Sequence, residues 1–327
     1  MLNLSKLAAG PDTGRYYLDQ VAKGREDYYG GEGEAPGEWI GDGAALLGLT
    51  GQVEEEGVLR LLQGRHPRSG NPLRELIPDG AVAGFDLTFR APKSVSILFG
   101  IAEPEMSAAV GAAHDAAVAE ALGYLEREAC RVRRGRGGAI VMEGSGFIGA
   151  AFRHRTSRAG DPLLHTHVVV ANVTRGADSR WTALHGQLLF RHAKTAGYLY
   201  QAVLRAELAD RLPVRWLAVE HGTADLAGVP RRVLEHFSER RAEILEHMAA
   251  RGERSPRAAQ IATLETRRRK AHDVPIDRLR TEWRARAAEH GLDRSRVRQV
   301  LQPGATARSD VAHTFEQAAG GSRARTA

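Results

Sequence analysis

Three histidines near the middle of the chain are spaced so that they could bind one metal ion. His165 and His167 stand at the start of a valine-rich run, and in a β-strand both imidazoles would project from one face while Thr166 projects from the other. If residues 157–162 form a hairpin loop, His154 on the preceding strand lies opposite His165, and such cross-strand neighbours are about 5 Å apart. The pattern therefore predicts a cluster of three imidazoles.

Such a cluster would have a definite chemistry. Imidazole nitrogens bind borderline divalent cations such as manganese, nickel or zinc, and three of them leave coordination positions open for substrate oxygens. An open site is typical of catalysis rather than of a structural metal. The alternative is that the three histidines are unrelated strand residues or satisfied polar groups, which is the commoner role of a single histidine.

Four of the seven tyrosines fall in two doublets, Tyr16-Tyr17 and Tyr28-Tyr29. Neighbouring residues face different directions, so each doublet can offer one hydroxyl to a site and one ring to packing. A phenol has an unperturbed pKa of about 10, so a nucleophilic tyrosine needs a proton acceptor or a positive partner. Asp86 could accept the proton, and a metal could polarise a phosphate under attack. The alternative is that the doublets pack at a rim or stack on bases.

Alternation of apolar and polar residues predicts the strands that would carry these groups. In residues 84–90, Phe85, Leu87 and Phe89 would face the core, and Asp86 would face the polar side. Further strand-like runs, separated by short polar loops that favour antiparallel pairing, are residues 138–143, 147–153 and 163–172. Helical periodicity predicts helices over residues 107–134, 190–212, 230–251 and 276–290, the last closed by Gly291. The sheet is therefore expected in the first two-thirds of the chain.

Composition narrows the class of protein. The 327 residues are 43% hydrophobic and 26% charged, which is typical of a globular protein rather than a disordered one. No run of 18 apolar residues and no signal-peptide pattern occurs, so we expect a cytoplasmic protein without membrane insertion. Cys130 is the single cysteine, which excludes an intramolecular disulfide and a cysteine-rich zinc site.

Positive charge is concentrated in one segment. Residues 251–300 contain 14 lysines and arginines against 7 aspartates and glutamates, which accounts for the whole net charge of +6. A polyanion partner is expected for such a segment, although a solvated helical face is the alternative. Phosphate contacts are predicted for Arg267, Arg268, Arg269 and Lys270. Others are predicted near the histidines, from Lys93, Arg153, Arg155 and Arg158, with surface salt bridges as the alternative role.

Several motifs together resemble the MobF class of conjugative relaxases, within the histidine-hydrophobe-histidine nickases. They run in order along most of the chain: Tyr-Tyr and Asp-Tyr-Tyr (16–17, 27–29), Glu-Trp (38–39), Gly-Ala-Ala-Leu-Leu-Gly-Leu-Thr-Gly (43–51), Phe-Asp-Leu-Thr-Phe-Arg-Ala-Pro-Lys-Ser-Val-Ser (85–96), Phe-Arg-His-Arg-Thr-Ser-Arg (152–158) and Asp-Pro-Leu-Leu-His-Thr-His (161–167). The combination is highly specific, whereas a tyrosine doublet alone is not.

The resemblance implies a fold of the α/β (α+β) class. This fold is a two-layer sandwich with a central antiparallel five-stranded sheet, helices behind it, and a helical covering segment over the active face. The expected divisions are residues 1–230 for the sheet domain with the tyrosines and the histidine site, 231–300 for a basic helical segment covering bound DNA, and 301–327 for a flexible tail or linker.

The resemblance also implies a reaction and its residues. Tyr16 would cleave single-stranded DNA at an origin of transfer, leaving a free 3′ hydroxyl and a 5′-phosphotyrosyl bond that is later rejoined. Tyr28 would act in a second strand transfer, and Tyr17 and Tyr29 would be auxiliary. Asp86 would be the carboxylate near the nucleophile. The metal ligands would be His154, His165 and His167, holding one divalent ion: magnesium or manganese, with zinc and nickel as alternatives.

The same resemblance implies partners for this chain. Accessory and coupling proteins of conjugation are expected, together with a monomeric state and export with the DNA. Many relatives continue into a helicase, yet no phosphate-loop signature occurs here, so we expect either a truncated chain or unwinding by another protein.

Three alternative functions are left open by the sequence. They are a rolling-circle replication initiator, whose histidines usually precede its tyrosine, a non-catalytic origin-binding protein, and a three-histidine zinc hydrolase.

Overall fold

A five-stranded antiparallel sheet is the centre of the fold. The protein is described here by a computed structural model that covers residues 1–10, 13, 36–75, 77–157, 159–252, 255, 258, 262 and 276–301. The strands are β1 (Leu2–Ala8), β2 (Glu38–Ile40), β3 (Val82–Arg90), β6 (Gly149–Thr156) and β7 (Pro162–Ala171). Their order across the sheet is β1-β3-β7-β6-β2, and each neighbouring pair is antiparallel. The predicted sheet and its place in the chain are confirmed.

Helices surround this sheet. They are α1 (Asp42–Leu46), α2 (Glu55–Leu62), α3 (Lys93–Ile101), α4 (Pro104–Ala129), α5 (Gln187–Arg211), α6 (Arg231–His236), α7 (Glu239–Ala250), α8 (Ile276–Glu289) and α9 (Arg294–Leu301). The helix predicted over 276–290 is confirmed, including its end, where Gly291 has φ 82°. No helix in the described ranges has the length and apolar character needed to cross a membrane.

The main core lies between the sheet and the pair α4 and α5. From the sheet it contains the inward side chains of the alternating strands, among them Leu87, Phe89 and Val168, all fully buried. Alanines recur along α4 at four-residue intervals, and because they are small, the helix can approach its neighbours closely. This layer fixes one face of the sheet and leaves the other face to carry polar groups.

Among the described residues, helix α2 packs on one part of the opposite face of the sheet. Val58 and Leu62 of α2 pack there against Ala150, Phe152 and Val169. The polar side chains of β3, β6 and β7 lie further along the same face, beyond this small apolar cluster. The face is therefore divided into an apolar part under α2 and a polar part near the β6–β7 turn.

Two predictions are wrong in the region where a small hairpin follows α4. The helix predicted over 107–134 ends at Ala129, and β4 (Arg131–Arg134) follows it and pairs with β5 (Ile140–Glu143). The strand predicted over 138–143 therefore belongs to a separate two-stranded sheet rather than to the central one. The physical reason is that Val132 is fully buried, and β4 is held by pairing and packing that helix periodicity does not register. Two further short strands, β8 (Thr174–Arg175) and β9 (Trp181–Thr182), form another pair.

The helix predicted over 230–251 is also interrupted. The structure has α6 and α7 instead, with Phe237 and Ser238 between them. Phe237 is fully buried, and the amide of Glu239 at the start of α7 donates to Oδ2 of Asp161 at 3.1 Å. The break thus caps a new helix with a carboxylate from the β6–β7 turn, where it complements the positive end of the helix dipole.

Candidate metal centre

The β6–β7 hairpin brings the three histidines together. His154 pairs directly with His165, as the turn length predicted, and the two-residue alternation brings His167 to the same face. The ring centroids are 5.1 Å apart for His154 and His165, and 5.2 Å apart for each of the other two pairs. One potential ligand atom from each ring lies within 4.8 Å of the others. The predicted cluster of imidazoles is confirmed.

The turn that joins the two strands is fastened by several hydrogen bonds. The hydroxyl of Ser157 accepts from the amides of Ala159 and Asp161, each at 3.2 Å. From α8, the indole of Trp283 donates to the carbonyl oxygen of Gly160 at 2.9 Å, and Arg286 donates to Asp161 at 3.2 Å. These bonds hold the end of the hairpin next to His154 and His165. The spacing of the ligands is therefore fixed by contacts with α8 as well as by strand pairing in the sheet.

A carboxylate orients one of the imidazoles. Nδ1 of His167 lies 2.9 Å from both oxygens of Asp86, and the hydroxyl of Thr88 donates to one of these oxygens at 3.2 Å. An imidazole that donates its Nδ1 proton to a carboxylate presents the Nε2 lone pair on its far side. Asp86 and Thr88 therefore prepare His167 as a metal ligand.

The backbone orients a second imidazole. Nδ1 of His165 lies 2.9 Å from the carbonyl oxygen of Leu163, to which it donates, so Nε2 again remains for a metal. Burial lowers the pKa of His165 well below its usual value, and the neighbouring His154 and His167 lower it further. The ring is therefore neutral near pH 7, which is the form that binds metal.

These residues fit a divalent metal ion. Three buried imidazoles converge, two of them have their Nδ1 atoms engaged, and a carboxylate stands behind one ring. No other three histidine, cysteine, aspartate or glutamate side chains converge in this way within the described part of the chain. The donor set suits a borderline cation with open coordination positions.

Of the basic residues predicted to contact DNA, Arg153 lies on the other side of the sheet. It follows the alternation of β6 toward the helices and forms an ion pair with Asp115 of α4. A contact with DNA at the histidine cluster would require this ion pair to open, so the structure does not favour that prediction.

Lys93 and Arg155 are also engaged in the fold. The ammonium of Lys93 donates to the carbonyl oxygen of Pro162 at 3.2 Å, and burial lowers its pKa, while Asp161 and Asp225 partly offset this shift. Arg155 is 7% exposed. These two phosphate contacts stay predictions.

Several predicted residues lie outside the described ranges. They are Tyr16, Tyr17, Tyr28, Tyr29, Arg158, Arg267, Arg268, Arg269 and Lys270. Their roles in cleavage and DNA binding stay predictions.

Two polar residues of β3 join the site without having been predicted as members. Thr88 pairs with His167 across the strands, and Arg90 pairs with His165. Arg90 is exposed, and its charge contributes to the low pKa of His165. The alternation that placed Asp86 on the polar face places Thr88 and Arg90 there too, so the signal was present in the sequence.

The fold and the site define a class of protein: an α/β protein that can hold a divalent metal ion with three histidines on an antiparallel sheet, as the histidine-hydrophobe-histidine nickases do. Comparison with known proteins narrows the class. The family model of the TrwC relaxase matches residues 11–290. The chain belongs to the TrwC relaxase family, and the resemblance to MobF-type relaxases is confirmed.

Individual relatives agree with this assignment. The multifunctional conjugation protein TraI of Escherichia coli is 35% identical over 308 residues, and the TraI of strain K12 is 32% identical over the same length. Each match covers 90% of this chain but 16% of the relative, so the chain spans about one-sixth of these proteins.

Solved structures of the conjugative relaxase TrwC are also similar. A copper-bound complex with origin-of-transfer DNA has a TM-score of 0.78 and 34% identity, covering 90% of this chain and 99% of that one. A complex with a 27-mer DNA comprising the recognition hairpin and the cleavage site has a TM-score of 0.76, with the same identity and coverage.

Proposed function

We propose that this chain nicks one strand of DNA at an origin of transfer and remains attached to the cut end. The observation that carries the proposal is the convergence of His154, His165 and His167 on the β6–β7 hairpin, in a chain of the TrwC relaxase family. TrwC was solved in complex with origin-of-transfer DNA and in a copper-bound form, which supports the same substrate and a metal here.

The reaction is a transesterification. The hydroxyl oxygen of Tyr16 attacks the scissile phosphorus, a new P–O bond to tyrosine forms, and the bond to the 3′ oxygen breaks. The phenolic proton is released, and the departing 3′ oxygen takes up a proton to become a free hydroxyl. His154, His165 and His167 would hold a divalent ion, which would supply positive charge to stabilise the negative charge of the phosphate under attack. Because one phosphoester replaces another, rejoining needs no ATP.

Asp86 has an orienting role in this proposal. Its carboxylate already accepts hydrogen bonds from His167 and Thr88, which supports a function in the metal site. Its predicted role as proton acceptor for the tyrosine stays a prediction. Tyr28 is proposed for a second strand transfer, and Tyr17 and Tyr29 are proposed as auxiliary residues.

We extend the proposal to the setting of the reaction. Residues 1–230 would form the catalytic unit and residues 231–300 would cover the bound strand, with Trp283 and Arg286 anchoring this segment at the β6–β7 turn. The protein would work as a monomer in the bacterial cytoplasm with accessory and coupling proteins of conjugation, and it would be exported with the DNA.

The test is formation of a covalent adduct. The protein is incubated with single-stranded DNA from the origin region beside its gene, with Mn²⁺ or with EDTA, and the products are separated under denaturing conditions. We expect an adduct that requires the metal, persists in Tyr17→Phe and disappears in Tyr16→Phe and His165→Ala. An adduct that persists in Tyr16→Phe would assign the nucleophile to another tyrosine. Tight, sequence-selective binding without any adduct would overturn the catalytic proposal in favour of origin binding alone.

A further inference from the structure

A buried polar chain lies behind the metal centre, on the helix side of the sheet. His114 of α4 is fully buried, and its Nε2 lies 2.8 Å from the hydroxyl of Thr166 while its Nδ1 lies 2.7 Å from the hydroxyl of Tyr200 on α5. Thr166 is the residue between the two histidines His165 and His167. We propose that this chain of three side chains positions the metal-binding imidazoles by fixing the strand between them.

The protons in this chain can be assigned. A phenol is a stronger acid than an aliphatic alcohol, so Tyr200 is the better donor and Thr166 the better acceptor. In the resulting arrangement Tyr200 donates to Nδ1 of His114, and Nε2–H of His114 donates to Thr166. Burial lowers the pKa of His114 to about 3, and the charge of Arg153 adds to the effect, so the ring is neutral as this arrangement requires.

The direction of these bonds explains why they would act on the metal site. Leu164 and Val168 flank Thr166 on the same face of β7, and their apolar packing against the helices has no preferred angle. A hydrogen bond does have a preferred angle, so the bond between Thr166 and His114 fixes the position of β7 relative to α4. Because successive residues of a strand face opposite sides, fixing Thr166 also fixes the height and tilt of His165 and His167 on the other face.

Energetics also favour a positioning role over simple stabilisation. Three polar side chains in a core must lose their water, and an apolar trio of similar size would fill the same space without that cost. A fully connected polar network instead specifies one arrangement of the elements that carry it. Here the elements are α4, α5 and the central strand β7, and the arrangement they specify includes the two imidazoles.

The test uses single hydroxyl deletions with a matched control. Thr166→Val replaces one hydroxyl with a methyl group of similar size, and Tyr200→Phe removes the phenolic oxygen. Tyr124→Phe is the control, because the hydroxyl of Tyr124 also bonds a histidine between α4 and α5, with 2.9 Å to Nδ1 of His192. Tyr124 lies about 15 Å along α4 from His114. Thr166→Ser keeps the hydroxyl and loses only a methyl group.

Two readouts separate positioning from stability. The dissociation constant for Mn²⁺ is measured by titration calorimetry, and the Cu²⁺ form is examined by electron paramagnetic resonance, whose hyperfine coupling reports the arrangement of the nitrogen ligands. We expect Thr166→Val and Tyr200→Phe to weaken Mn²⁺ binding on the order of 10-fold and to change the Cu²⁺ spectrum. Thr166→Ser and Tyr124→Phe should keep the wild-type spectrum and an affinity within about 2-fold.

The double variant tests whether the residues act as one chain. Adding Tyr200→Phe to Thr166→Val should weaken metal binding little beyond the larger single effect, because residues in one network are not additive. Unchanged Mn²⁺ affinity and Cu²⁺ spectra in both single deletions would overturn the inference, whatever their effect on unfolding. If Thr166→Val does not fold, Tyr200→Phe alone decides.

The inference rests on the proposed metal site, and the two can fail separately. A wild-type protein that binds neither Mn²⁺ nor Cu²⁺ at the histidines contradicts the proposed function itself. A wild-type protein that binds both ions, with variants indistinguishable from it, contradicts only the positioning role.

Discussion

Both carboxylate oxygens of Asp86 lie 2.9 Å from Nδ1 of His167, on neighbouring strands of the central sheet. This contact determines which nitrogen of the ring carries the proton and which remains for a metal. Asp86 therefore contributes to the metal centre without being one of its three ligands, and loss of the carboxylate should be measurable as loss of metal affinity.

Replacing Asp86 tests this relationship. Asp86→Ala leaves His167 free to adopt the other tautomer, and we expect it to weaken Mn²⁺ binding roughly 10- to 100-fold. Thr88→Val removes a donor to the same carboxylate and should have a smaller effect. Titration calorimetry on both variants checks the order. A Mn²⁺ affinity in Asp86→Ala equal to that of the wild type would refute the orienting role.

The low pKa of His114 predicts how stability depends on pH. Between pH 3 and about 6.5 the unfolded chain binds a proton on this residue that the folded chain does not, so stability rises with pH in this window and is lost toward acid. The contribution is about 1.4 kcal/mol per pH unit. His114→Gln should make the slope of unfolding free energy against pH shallower by that amount between pH 4 and 6. Urea titrations in EDTA measure it, and an unchanged slope would contradict the assignment.

Gly100 limits the space in which α8 docks. A Cβ at this position would lie 2.8 Å from Cε3 of Trp283 and 3.1 Å from Cβ of Pro162, so Gly100→Ala must displace the buried indole. We expect the free energy of unfolding to fall by about 1–3 kcal/mol. In Gly123→Ala, also within a helix, the new Cβ meets no atom closer than Nη1 of Arg127 at 3.4 Å. This substitution should raise the free energy of unfolding by about 0.5–1 kcal/mol. Denaturant unfolding of the two variants should give shifts of opposite sign, and shifts of the same sign would be inconsistent with this packing.

The predicted phosphate contacts can be separated by salt dependence. Changing Arg267 through Lys270 to glutamine should reduce the slope of log binding constant against log salt by about 0.7 for each phosphate of a single strand that is no longer neutralised. Arg153→Gln should leave the slope unchanged, because Arg153 is paired with Asp115 on the helix side of the sheet. Binding of origin DNA measured by anisotropy between low and physiological salt distinguishes them. A reduced slope in Arg153→Gln would show that its ion pair opens for DNA.

The histidine site could be predicted because its determinants are local. The number of residues between His154 and His165 sets the register of a hairpin, and the alternation of a strand puts His167 beside His165. The alternation of β3 likewise places Thr88 and Arg90 on the polar face. Their part in the site could be recognised only once β3 was known to lie beside β7. That knowledge comes from the order of the sheet, in which β3 and β7 are neighbours although more than 70 residues of chain lie between them.

Other features could not be predicted because they depend on distant parts of the chain. The arginine-rich residues 131–134 continue a helical pattern, and only pairing with 140–143 and the burial of Val132 make them a strand. Likewise, the alternation that Leu2 and Leu4 begin in β1 is broken at Lys6 and Leu7, and the register with β3 shifts between Leu7 and Ala8. His114, Thr166 and Tyr200 are far apart in sequence, so no spacing rule connects them.

The hydrogen bonds that hold the β6–β7 turn also limit where a sequence can be inserted into this protein. An epitope tag or fluorescent label inserted between Ser157 and Asp161 would separate two ligand strands and remove the anchors of α7 and α8 at once. The exposed turn at residues 220–221 is held by local backbone bonds between Glu220 and Thr223, and it is the better insertion point for reporters that must leave the metal centre intact.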